Sequence, residues 1–89
     1  MRNIIKRQAN DQELTDCLTW EIWESGDAKT FIFSYDQGVC FVVQEGESVI
    51  NSKTNDPIFI KAGDHITIEA GVDAVWDISR PIINRYRYI

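Results

Sequence analysis

Residues 61–76 read Lys-Ala-Gly-Asp-His-Ile-Thr-Ile-Glu-Ala-Gly-Val-Asp-Ala-Val-Trp. Gly63 and Asp64 are turn residues, and the alternation of apolar and polar residues that follows them predicts a strand. Glu69-Ala70-Gly71 predicts a second turn, after which a further strand runs to Trp76. The stretch therefore predicts two short strands, each preceded by a tight turn, a pattern typical of an all-β protein.

The rest of the chain carries the same β signals. Short alternating or continuously apolar segments are separated by Gly, Asn, Asp and Pro. Besides an extended segment at 1–9, we predict strands at 20–24, 29–35, 39–44, 48–53, 58–61, 65–69, 74–78 and 82–89. Glu45-Gly46-Glu47 is interpreted as a turn between two of these strands, and Pro81 as a break between two others.

One short helix is predicted near the N-terminus, over residues 11–18. Asn10 offers an N-cap, and Glu13 lies three residues further on, which is the spacing of a capping box. Three apolar residues follow at positions i, i+3 and i+4 and would share one helical face: Leu14, Cys17 and Leu18.

The composition restricts the classes of partner. Nine Lys and Arg against fourteen Asp and Glu give 9 − 14 = −5, which argues against nucleic acid or an anionic membrane as a partner. No stretch approaches the roughly 18 apolar residues of a membrane span. Residues 1–7 contain charge but no apolar h-region of a secretory signal, so we expect a cytoplasmic protein. The length predicts one domain, residues 1–89.

The thiols and the histidine offer little chemistry. Cys17 and Cys40 are too few for a disulfide framework and lack zinc-site spacing, so both are expected to be free. His65 is the single histidine, and a Cys40–His65 pair is the arrangement that cysteine catalysis would need. For both residues, a role without catalysis is favoured. Cys40 would pack as a small hydrophobe, and His65, on the polar side of its strand with Thr67, would be a solvated or structural residue.

The order of the motifs resembles that of the cupins. Residues 63–78 match the frame of the second cupin motif, Gly-x5-Pro-x-Gly-x2-His-x3-Asn, and residues 40–46 are similar to the end of the first motif. The similarity covers residues 10–89 and is greatest to small single-domain cupins of the ureidoglycine aminohydrolase-type family, many of which have no assigned function. The resemblance implies a cupin (RmlC-like) jelly-roll barrel with two sheets around a pocket and one short N-terminal helix.

The residues at the metal positions of this resemblance are not metal ligands. Metal-binding cupins use two His and one Glu from the first motif and one His from the second, where this chain has Ala74. Without a gap the first-motif positions are Phe33, Tyr35 and Val39, and with a one-residue gap they are Ile32, Ser34 and Gly38. First-row metals require imidazole, carboxylate or thiolate donors. We therefore expect no metal and no cofactor.

A candidate ligand pocket follows from the same resemblance. Aromatic side chains would line the barrel, and Tyr35, Cys40 and His65 would be its polar groups. The candidate pocket residues are Phe33, Tyr35, Cys40, His65 and Trp76. The alternative is that the aromatic residues are simply core, since large aromatic side chains dominate cores.

Three hypotheses of function remain open. The first is a metal-free cupin that binds a small molecule in the barrel. The second is a metal-independent enzyme, such as an isomerase or amidohydrolase, which would need His65, Tyr35 or Glu69 to converge in the barrel. The third is a structural or interaction module with a filled barrel. A measured cavity separates the third from the others. The resemblance also implies a homodimer that pairs through edge strands.

Overall fold

The computed structural model describes residues 3–89, and most of them lie in antiparallel strands. The elements are β1 (Ile4–Gln8), α1 (Asp11–Asp16), β2 (Glu21–Glu24), β3 (Thr30–Ser34), β4 (Val39–Ser52), β5 (Ile58–Lys61), β6 (Asp64–Ile68) and β7 (Asp73–Tyr88). The predicted all-β class with one short helix near the N-terminus is confirmed.

The helix begins with the predicted capping box. The Asn10 side chain accepts a hydrogen bond from the Glu13 backbone N–H at 2.8 Å, and Glu13 Oε1 accepts one from the Asn10 N–H at 3.0 Å. Residues 17–19 continue as a single 3₁₀ turn. The predicted apolar face was wrong in part, because only Cys17 is buried while Leu14 and Leu18 remain exposed. Within residues 3–89, no helix has the length and apolar character needed to cross a bilayer.

Two predicted breaks in the strand pattern were wrong. Glu45-Gly46-Glu47 does not end a strand, since β4 is continuous, and Pro81 lies inside β7. The pairing of these two strands instead shifts register between Val43 and Ser48, which marks β-bulges. A bulge bends a strand and interrupts its hydrogen-bond ladder, so a proline without an N–H is tolerated opposite it.

The bends in β4 and β7 divide the sheet into two halves. Residues 39–43 of β4 pair with β6 and with residues 84–88 of β7, and β1 and β2 flank them. Residues 47–52 of β4 pair with β5 and with residues 74–80 of β7, which in turn pairs with β3. The two halves face each other, as the two sheets of a jelly roll do.

The core lies between the two halves. Five isoleucines have no exposed surface, and each contributes about 1.5–3 kcal/mol through burial. They are Ile50, Ile60, Ile66, Ile68 and Ile82. A second, smaller cluster lies outside this core, where Cys17 and Ala9 pack on Val42 of β4 beside Trp20. The segment from Ala9 to Trp20, which contains the helix and the 3₁₀ turn, therefore covers the outer face of one half of the sheet.

Candidate functional site

A cavity of about 220 Å³ opens between the two halves of the sheet. Eight of its ten lining residues are aromatic, and the other two are Val39 and Asn84. The aromatic residues are Trp23, Phe31, Phe33, Tyr35, Phe41, Trp76, Tyr86 and Tyr88. Phe33 is 42% exposed and Tyr88 is 56% exposed, so these two lie at the mouth of the cavity.

The aromatic rings form a continuous wall. Trp23 lies at the centre of one group, with ring centroids 5.0 Å from Phe31 and 5.6 Å from Trp76. Phe41 packs on the same Trp76 ring at 5.5 Å. Phe33 continues the wall toward the mouth, stacked on Phe31 at 5.8 Å. These separations are those of favourable offset and edge-to-face contacts, so the wall is rigid and apolar.

Strand alternation and register position the deepest residues. Trp76 of β7 lies between Phe31 of β3 and Ile50 of β4, and all three point inward. Asn84, eight residues further along β7, faces the same side and pairs with Trp23 of β2. The bend in β7 thus brings an indole and an amide from one strand to the same cavity.

The Trp76 indole N–H is buried and faces the Tyr35 hydroxyl. The Asn84 side-chain oxygen Oδ1 is also buried, and it has no hydrogen-bond partner in the part of the chain that the structure describes. The two residues are only 2% and 3% exposed. Most buried polar side-chain atoms in folded proteins are hydrogen-bonded, since leaving one unpaired is costly.

Tyr35 is the remaining polar side chain in the deep part of the cavity. Its backbone N–H donates to the Val72 carbonyl at 2.9 Å, which fixes its position beyond the end of β3. Burial raises the pKa of Tyr35 to about 12, and hydrogen bonding from the Trp76 indole N–H to the phenol oxygen only partly opposes this effect. Tyr35 is therefore a neutral phenol at physiological pH and is poorly suited to act as a base.

The structure brings together three of the five predicted pocket residues. Phe33, Tyr35 and Trp76 all line the cavity. Cys40 does not, because it follows Val39 in β4 and its side chain points to the opposite face of the sheet. There it is buried, and it pairs in register with Thr67 and Arg87.

His65 also lies away from the cavity, on the outer face beneath α1. It is 7% exposed, so of the two expected roles, solvated or structural, its burial agrees with the structural one. Its Nε2 lies 3.5 Å from Glu13 Oε2 of α1, and Arg7 also binds that carboxylate. Burial and the charge of Arg7 lower the pKa of His65, whereas Glu13 opposes the shift. This arrangement attaches the helix to the sheet and leaves Cys40 and His65 outside the aromatic wall.

The sequence analysis did not identify Asn84, a buried polar residue that lines the cavity. Asn84 shares its parity with Ile82, Tyr86 and Tyr88 in the alternating C-terminal segment. An amide within an inward-facing apolar and aromatic row is a detectable signal of a buried polar group. Trp23, which lies within the predicted strand 20–24, was also not identified as a residue of the cavity.

The donor set does not fit a metal ion. Phe33, Tyr35 and Val39 line the cavity, which corresponds to the ungapped alignment of the first motif. Ala74 lies directly opposite Phe33 in the pairing of β3 with β7. Across residues 3–89, His, Cys, Asp and Glu side chains nowhere gather in a group of three that could hold an ion. The side chains at these four positions offer no imidazole, carboxylate or thiolate.

Comparisons with known proteins agree with this architecture. The EutQ-like cupin domain family matches residues 13–86. A DUF861 family protein from Thermotoga maritima superposes with a TM-score of 0.88 at 20% identity, over 98% of this chain and 100% of that one. No curated protein sequence matches at a significant level.

Two longer proteins share the fold over part of their length. A protein from Salmonella typhimurium assigned to ethanolamine utilization (EutQ) has a TM-score of 0.65 at 19% identity, over 75% of this chain and 53% of that one. A DUF1255 protein of unknown function from Acidithiobacillus ferrooxidans has a TM-score of 0.62 at 19% identity, over 65% and 56%. At these identities the structures show the fold alone. The family match spans most of the residues, and the chain belongs to the EutQ-like cupin domain family.

Proposed function

We propose that this chain is a metal-free cupin that binds a small molecule in the aromatic cavity. The observation that carries the proposal is the open cavity of about 220 Å³ between the two halves of the sheet, which eight aromatic side chains and no charged one line. Ligand pockets are typically apolar and contain a few polar groups that orient the ligand.

The volume limits the ligand to a small one. Drug-sized ligands occupy pockets of about 300–1,000 Å³, whereas this cavity measures about 220 Å³. An engineered cavity of about 150 Å³ binds benzene. The ligand proposed for this chain is therefore about the size of one substituted ring.

The two alternative functions receive less support from the geometry. A metal-independent isomerase or amidohydrolase needs an acid or base in the barrel, but His65 lies beneath α1. Glu69 is also engaged elsewhere, since its Oε1 accepts a hydrogen bond from the Asn3 N–H at 2.6 Å. A structural module with a filled barrel would not leave a cavity of about 220 Å³.

Finer aspects of the proposal come from the sequence resemblance alone. These are membership of the ureidoglycine aminohydrolase-type group, a cytoplasmic location and a homodimer. The absence of a metal stays a prediction as well, and it is supported by the side chains at Phe33, Tyr35, Val39 and Ala74. Stoichiometric zinc, manganese or iron in the barrel after soaking would contradict it.

A fragment screen tests the proposed binding. Single-ring compounds are titrated against the protein, and binding is followed by NMR chemical shifts. We expect several fragments to bind at one saturable site. Val39→Phe, which fills the cavity, should abolish that binding, whereas the control Ile5→Phe, at an exposed position of β1 away from the cavity, should not. The proposal is rejected if no fragment binds, or if a folded Val39→Phe variant binds fragments as well as the wild type.

A further inference from the structure

We propose that the ligand carries a quaternary ammonium head of the trimethylammonium type, which the aromatic side chains of the cavity hold through cation–π contacts. This inference rests on the proposed function and specifies the chemistry of the ligand at the same site.

The composition of the cavity wall favours a cation. Two Trp, three Tyr and three Phe side chains line the cavity. The face of an aromatic ring is negative and attracts a cation that lies within about 6 Å of its centroid, most strongly when the ring is that of Trp. None of the ten lining residues is Lys, Arg, His, Asp or Glu, so no side chain of the wall repels a cation.

The angles between the rings favour a rounded head over a flat one. The planes of Phe31 and Trp76 meet at 82°, and those of Tyr86 and Tyr88 meet at 81°. A flat ligand stacks on only one plane of such a corner, whereas a head built of methyl groups contacts both planes. A trimethylammonium head is slightly smaller than benzene, which a cavity of about 150 Å³ accepts, so it fits a cavity of about 220 Å³.

The apolar character of the wall favours a quaternary ammonium over a primary one. A primary ammonium has three N–H donors, and these donors are costly to bury without acceptors. The polar side-chain atoms of the wall belong only to its Trp and Tyr residues and to Asn84, and the wall contains no carboxylate. A quaternary ammonium has no N–H and therefore leaves no donor unpaired.

The charges of the rest of the chain also favour a cation over an anion. The net charge is −5, and a field of this sign attracts cations. Arg85 and Arg87 alternate along β7 with Tyr86 and Tyr88, so they lie on the outer face of the sheet. There the Arg87 guanidinium lies 4.7 Å from the centroid of the Trp20 ring, and Arg85 Nη1 donates to the Trp20 carbonyl at 3.3 Å. This part of β7 thus directs its positive charges away from the cavity.

A series of probes with one shape and three charges tests the inference. Choline is the cation, 3,3-dimethylbutan-1-ol is its neutral counterpart, and 3,3-dimethylbutanoate is the anion. Dissociation constants are measured by NMR titration, with the Trp23 indole N–H resonance as a local reporter and that of Trp20, which does not line the cavity, as an internal control. We expect choline to bind at least about tenfold more tightly than the alcohol, and the anion to bind most weakly.

Removal of one ring should reduce the preference for the cation. In Trp23→Leu, the affinity of choline relative to the alcohol should fall by about fivefold, because leucine keeps an apolar contact but has no ring face. Trp20→Leu is the matched control and should leave this ratio unchanged, since Trp20 lies outside the cavity. If Trp23→Leu does not fold, Tyr88→Leu replaces it, because Tyr88 is 56% exposed at the mouth and its truncation leaves the core intact. The same fall in the ratio is expected there.

Two results would overturn the inference and leave the proposed function intact, provided that single-ring fragments bind. One is choline that binds no more tightly than the alcohol, and the other is a choline-to-alcohol ratio that removal of the ring does not change. If neither choline nor the alcohol binds and the fragment screen is also negative, the proposed function itself fails.

Discussion

Gly46 is the residue on which the bend between the two halves of the sheet depends. Its φ is +99°, in the left-handed region that favours glycine. A Cβ at this position would also collide with the backbone carbonyl of Pro81 in β7. Because the obstacle is backbone rather than a flexible side chain, the neighbouring strand would have to move to relieve it.

Gly46→Ala is therefore expected to lower the free energy of unfolding by about 4 kcal/mol or more, or to prevent folding altogether. Gly26→Ala is the matched control. Gly26 also has a positive φ, of +59°, but nothing lies within 4 Å of an added Cβ, so a cost of only about 1–2 kcal/mol is expected. Urea denaturation measures both. Equal losses in the two variants would show that the contact with Pro81 does not matter.

Helix α1 is held to the sheet by one small charged cluster. Glu13 of α1 lies between Arg7 of β1 and His65 of β6, and the contact with Arg7 lowers the pKa of Glu13 to about 2. Burial lowers the pKa of His65 below its ordinary value of 6.5, so the folded protein favours the neutral imidazole. Proton uptake by His65 therefore opposes folding of the segment that α1 covers.

This arrangement predicts a pH dependence of stability. The unfolded chain binds more protons at His65 than the folded chain once the pH falls below about 6.5, so stability is greatest above that value and declines as the pH falls. His65→Gln should flatten the dependence between about pH 7.5 and pH 5.5. The free energy of unfolding is measured by urea titration at both ends of this range for each protein. A slope that is the same in the two proteins would assign the effect to other groups.

The elements differ in how far sequence could predict them. Local signals sufficed for α1, whose capping box lies within four residues, and for β5, whose bounds were predicted to the residue. The continuity of β4 and β7 could not be predicted, because Gly46 and Pro81 carry the same local signals whether a strand ends or bends. Only the contact between Gly46 and Pro81, which are far apart in sequence, shows that the strands bend there and do not end.

At the scale of the whole molecule, the fold followed from the order of several weak motifs, but the site followed only in part. Alternation within one strand placed Phe33 and Tyr35 together correctly. The same rule argues against Cys40, since it directly follows the inward-facing Val39. The burial of His65 was beyond such reasoning, because it depends on α1 covering a distant strand. The role of Asn84 could not be predicted, because it depends on a cavity that the sequence alone does not reveal.

The outer edges of the molecule bear on the expected homodimer. β1, β2, β3 and β5 each pair on one side only. Charged residues within an edge strand discourage pairing with another chain. β1, β2 and β5 all contain Lys, Arg or Glu, whereas β3 reads Thr-Phe-Ile-Phe-Ser and contains no charge. Ile32 at its centre is 73% exposed, beside the partly exposed Val75.

We therefore predict that two copies pair through β3. Ile32→Lys should convert the dimer to a monomer, because two lysines would face each other near the symmetry axis and the apolar contact would be lost. Ile5→Lys is the matched control, since Ile5 is also an exposed isoleucine, at 51%, but lies on the charged edge strand β1. Light scattering coupled to size exclusion gives the mass of each protein. A monomer mass for the wild type at high concentration, or loss of the dimer in Ile5→Lys alone, would contradict pairing through β3.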